Sequence, residues 1–106
     1  MKIYNFHTRD EQDVCLAFNA TMFTAVKVKH GVILDQEMMK NPYNHNVLAT
    51  CVSKMHDKAC QLKGIEPEFT EEQIKNMIDI DEMLYIYTML CLERNKMTSN
   101  SLKPEM

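Results

Sequence analysis

Met83-Leu84-Tyr85-Ile86-Tyr87-Thr88-Met89-Leu90-Cys91-Leu92 holds ten consecutive residues, nine of them apolar and none charged. Read as a helix, it is apolar on every side and must be covered all round. It is too short for a membrane span, which takes about 20 residues, so it belongs to a protein core or a protein interface. Only 2 glycines and 3 prolines punctuate the chain of 106 residues, which favours long helices over a sheet with many turns.

The residues before this run set where its helix begins. Thr70 followed by Gln73 is a capping box, with Phe69 and Ile74 placed as a hydrophobic staple. A single helix over 71–97 would put Asp81 among Ile74, Met77, Ile78 and Tyr85, and an unpaired buried carboxylate is costly. Asp79 and Glu82 form a second box, with Ile78 and Met83 as its staple. The pattern therefore predicts a short helix at 71–77 and a longer one at 80–97.

Further upstream, Leu48, Cys51, Val52, Met55, Ala59 and Leu62 share one face of a helix over about 42–63, with Gly64 as its stop. Ser53, Lys54, Asp57, Lys58 and Gln61 take the other face. Asp35 to Lys40 gives one helical turn before Asn41-Pro42 blocks continuation. Thr8 and Glu11 spell another capping box, and Lys27, Lys29 and His30 before Gly31 mark a helix end. These signals frame one helix over 9–30, against the rival of a strand at 22–29, where Phe23, Thr24, Val26 and Val28 favour β structure. Residues 2–6 are at most a short strand. The expected architecture is an all-α bundle of four or five helices around the 80–97 helix, with residues 1–97 as one domain and 98–106 as a fraying tail.

Composition narrows the function. Apolar residues at 45% and charged residues at 25% exclude wholesale disorder. A net charge of −3 disfavours a strongly basic nucleic-acid binder. The charge is uneven, +2 over residues 1–65 and −5 over 66–106, which suits an acidic face against a basic partner. No hydrophobic leader is visible at the N-terminus, so the expected location is cytoplasmic, without membrane contact. Ten methionines suit a core, or a surface that adapts to several partners. The bias towards Lys, Asn and Ile is that of an AT-rich genome, which leaves a viral or phage accessory protein open.

Chemistry-bearing patterns are sparse. His56 and Cys60 lie four apart on the 42–63 helix, a spacing that suits two metal ligands. Zinc takes four, so His30, His45 or Cys15 would have to arrive from elsewhere. The expectation is that Cys15, Cys51, Cys60 and Cys91 are reduced core residues, with no metal and no cofactor. A glycine-rich phosphate loop and a nucleophile elbow are both missing from the sequence, and the acidic pairs have capping explanations, so no enzyme is expected. Lys54, Lys58 and Lys63 give the best nucleic-acid face, interrupted by Asp57.

The function expected from these residues is a non-catalytic protein-binding module, a regulator, inhibitor or assembly factor. It would self-associate as a homodimer through Ile80, Met83, Tyr87, Leu90 and Cys91. Ile78, Tyr85, Met89 and Leu92 would face the protomer's own core. The alternative is a nucleic-acid-associated regulator using the Lys54/Lys58/Lys63 face.

Overall fold

Residues 13–16, Asp-Val-Cys-Leu, form a β-strand rather than the second turn of a helix. The computed structural model describes residues 2–102, with side-chain surroundings for residues 2–94. Strand β1 (Tyr4–His7) pairs antiparallel with β2 (Asp13–Leu16), Tyr4 opposite Leu16 and His7 opposite Asp13. Five helices come after the hairpin: α1 (Thr21–His30), α2 (Leu34–Lys40), α3 (His45–Lys63), α4 (Glu71–Met77) and α5 (Ile80–Leu102). The protein is mostly helical but not all-α, and the helix expected over 9–30 survives only in its second half. The rival strand at 22–29 does not form; those residues lie in α1.

The Thr8–Glu11 pattern closes a hairpin instead of capping a helix. The Thr8 hydroxyl accepts from the Gln12 N–H at 3.1 Å, the Thr8 N–H donates to the Gln12 carbonyl at 2.8 Å, and Glu11 turns the chain at φ +61°. The next run is buried at every step, since Val14, Cys15, Leu16 and Ala17 are each at most 3% exposed. Val14 and Leu16 enter the main core, while Cys15 and Ala17 join a second cluster with Ala59 and Cys60. A strand covered on both faces shows no alternation, and its run of apolar residues reads equally well as a helix.

The remaining helix ends obey local chemistry. Gly31 ends α1 at φ +70°. Gly64 ends α3 at φ +74°, and the bonds Gly64 N–H to Gln61 carbonyl (3.1 Å) and Ile65 N–H to Cys60 carbonyl (3.0 Å) make a Schellman turn. Asn44 caps α3 by accepting from the Val47 N–H. Both capping boxes before the apolar run are formed. Thr70 Oγ1 accepts from the Gln73 N–H at 3.2 Å, and Asp79 Oδ1 accepts from the Glu82 N–H at 2.9 Å. Between them Ile78 is extended, so α4 and α5 are separate helices and Asp81 stays exposed. α5 runs on to Leu102, past the expected end at 97; the rest of the expected tail, residues 103–106, lies outside the described residues.

The central element is α3, not the apolar α5. Eleven of the 19 residues of α3 are buried, and it packs against β2, α1, α4 and α5. Its sequence looks only half apolar because some buried positions carry polar groups with internal partners. The Thr50 hydroxyl bonds both His30 (2.7 Å) and Glu71 (2.9 Å), and His56 is 0% exposed. No helix among the described residues is long and apolar enough to cross a membrane.

Candidate functional site

The α5 residues expected at an interface fall on the inner side of the helix. Met83 and Leu90 are buried in the core, and Ile80 and Tyr87 are half-buried against it. The Tyr87 hydroxyl donates to Asp35 of α2 at 2.6 Å, and Arg94 holds the same carboxylate at 3.1 Å. Burial and the Asp35 bond push the Tyr87 phenol above its ordinary range. Cys91 is half-buried, with the Arg94 guanidinium 3.6 Å from its sulfur. Of the four residues expected inward, Ile78 is buried and Met89 half-buried, while Tyr85 and Leu92 are exposed. Tyr85 and Leu92 thus lie outward and Met83, Tyr87 and Leu90 inward, the reverse of the expectation, while Ile78 and Met89 are covered as expected. The signal was present: Asp81, Tyr85, Thr88 and Leu92 share one helix face, and the two polar residues mark it as the wet one.

A broad concavity lies between α1 and α3. Its volume is about 1080 Å³, and it is open to solvent. Thr24 and Val28 of α1 form one wall, Lys54 and Lys58 of α3 the other, and Ile65 and Pro67 close the end. Val28 is 82% exposed and Ile65 is 42% exposed, so apolar side chains sit at the rim. Glu71 crosses the opposite end. Burial raises its carboxyl, but bonds from Lys29 and Thr50 outweigh this, and its pKa lies below the ordinary value. The basic face of α3 also borders this groove, and it is partly engaged: Lys54 pairs with Asp57 at 3.6 Å, and Lys58 donates to Gln61 at 3.3 Å.

A second feature joins residues distant in sequence. Cys15 of β2, His56 and Cys60 of α3, and Glu68 of the loop after Gly64 bring one donor atom each to within 4.8 Å of one another. The Cys15 and Cys60 sulfurs are 3.7 Å apart, and Cys60 Sγ is 3.4 Å from His56 Nε2. Glu68 Oε1 is 3.7 Å from Cys15 Sγ. His56 Nδ1 donates to the Cys15 carbonyl at 2.9 Å. A carbonyl only accepts, so Nδ1 carries the proton and Nε2 presents its lone pair. The N–H groups of Glu68 (3.1 Å) and Phe69 (3.3 Å) point at Nε2. Burial and the neighbouring Cys60 push the Cys15 thiol up to about 11. Cys51, by contrast, is a core thiol pushed up to about 12 by burial. All four cysteines are free. Sequence spacing marked His56 and Cys60 and named Cys15 as one possible third member. Glu68 gave no signal, because it joins through a loop reversed by Gly64.

No protein-family model, curated protein or solved structure matches the chain.

Proposed function

We propose that the protein is a non-catalytic protein-binding module that receives a peptide segment of a partner in the groove between α1 and α3. The observation that supports this reading is the groove itself, open to solvent, with the exposed Val28 and Ile65 at its rim. An amphipathic helix or extended segment could lay its apolar side chains there. Exposed apolar side chains at the rim of a cleft suit a protein-binding surface.

A second reading, self-association through α5, draws on Tyr85 and Leu92. They lie seven residues apart on one face, and each is 58% exposed. A homodimer would use this stripe and leave Met83 and Leu90 in the protomer core.

A photo-crosslinking side chain placed at position 28, 39 or 85 in the native cell tests both readings. Groove binding gives a protein adduct at 28 and none at 39, although Met39 is 87% exposed. Adducts between two copies at 85 select the second reading. Equal yields at all three positions would reject both.

A further inference from the structure

We infer that Cys15, His56, Cys60 and Glu68 hold one zinc ion, independently of whether the groove binds a partner.

The donor set points to the metal. Two thiols and an imidazole are ligands of soft and borderline metals, whereas calcium and magnesium are bound through oxygen. Structural zinc takes four ligands, most often Cys and His; here Glu68 would supply the fourth.

Three of the six donor–donor edges match a tetrahedral ion. With Zn–S bonds of about 2.3 Å, tetrahedral sulfurs stand about 3.8 Å apart, and Cys15 and Cys60 are separated by 3.7 Å. The corresponding S–N edge is about 3.6 Å for a Zn–N bond of about 2.05 Å, against 3.4 Å from Cys60 Sγ to His56 Nε2. The S–O edge is similar, against 3.7 Å from Cys15 to Glu68.

The second shell is also in place. A metal-bound histidine usually donates its other ring N–H to a carbonyl or carboxylate, which fixes its tautomer. His56 does so to Cys15, itself a member of the set, so strand and helix hold the ring from both sides. The Glu68 and Phe69 N–H groups that now approach Nε2 would turn to the thiolate sulfurs when zinc takes that lone pair. This requires a small shift of the loop at 65–69. Cys15, His56 and Cys60 are at most 2% exposed, while Glu68 is exposed. The ion would therefore enter from the loop side and be closed in by Glu68. Zinc binding releases the two thiol protons to solvent and leaves two thiolates and a carboxylate around the divalent cation. Bound there, it ties β2 and the loop to the end of α3.

The test uses the whole chain, purified under reducing conditions and freed of metal. Cobalt(II) alone is the first probe. One equivalent should give the visible bands of a tetrahedral ion and a sulfur-to-cobalt charge-transfer band, and zinc should bleach both. Zinc should raise the melting temperature by about 10 °C or more when present at roughly 100 times its Kd. Cys15→Ser should lower the charge-transfer band by about half, and Cys91→Ser should leave it unchanged. Because Cys15 is buried, the exposed Glu68→Ala serves as the variant that keeps the fold, and it should weaken zinc binding at least tenfold. A cobalt spectrum typical of six oxygen ligands, a melting temperature indifferent to zinc, or a Cys15–Cys60 disulfide that persists with zinc under reducing conditions would each overturn the assignment.

Discussion

Thr8-Arg9-Asp10-Glu11 and Asp79-Ile80-Asp81-Glu82 carry the same local signature, an N-cap residue and, three places on, a glutamate. The second opens a helix and the first closes a hairpin. The difference lies in the residues that come next. After Glu82 comes a long apolar run with few residues of high turn propensity, which lies along α3 as a helix. After Glu11, the run Val14–Ala17 is bounded by Asn19 and is short enough to be covered on both faces as a strand. A capping pattern states that the chain can start a helix there. Whether it does depends on how the next residues are buried.

Substitutions in both regions probe this contrast. Leu16→Ala removes a strand side chain that is 3% exposed and should cost about 2–5 kcal/mol by chemical denaturation. A loss of a few tenths would mean that β2 does not wall the core. Asp79→Ala should cost about 1 kcal/mol, the usual scale of a lost N-cap. The same experiment also removes the ion pair between Asp79 and Arg9 of the hairpin loop. Arg9→Ala separates the two, since an exposed pair contributes less than about 1 kcal/mol.

Glu71 stands in the first turn after the Thr70 box, and its carboxyl is lowered in the folded state through Lys29 and Thr50. A lowered carboxyl stabilises the fold above its unfolded value, here 4.5, and this is lost as pH falls through the folded value. The stability gap between the protein and Glu71→Gln should therefore be present at neutral pH, on the order of 0.2–1 kcal/mol. It should close in acid; a gap that widened below pH 4.5 would contradict the pairing.

The smallest effect has the most informative sign. Glu11 sits at φ +61°, where a side chain costs about 1–2 kcal/mol. Glu11→Gly removes that strain but adds about 0.5–1 kcal/mol of unfolded-chain entropy. Stability should be unchanged or slightly increased. In a helix at 9–30 the same change would cost about 1 kcal/mol.

Where the sequence was informative, the cause was local. The boundary between α4 and α5, the end of α1 at Gly31 and the end of α3 at Gly64 arise from residues within a turn of each other. The hairpin and the orientation of α5 do not. β2 is a strand because α3 covers it, and Tyr87 faces inward because Asp35, 52 residues away in sequence, receives its hydroxyl. The Cys15–His56–Cys60–Glu68 cluster divides in the same way. The i, i+4 pair on α3 is a property of one helix. Cys15 arrives because β2 packs on α3, 41 residues in sequence from His56, and Glu68 arrives by the reversal at Gly64. Neither leaves a periodicity to read.

The hairpin is tied to the last helix twice, by Arg9 to Asp79 and by the Tyr4 hydroxyl to Glu93 at 2.9 Å. The second tie spans 89 residues. During translation the hairpin is made before its partners Asp79 and Glu93. A two-stranded hairpin alone is only marginally stable in water. The nascent chain must therefore carry β1 and β2 without these two ties until Asp79 and Glu93 have been made. A chain cut short before residue 79 should consequently leave this segment open to protease, while the chain that includes α5 resists.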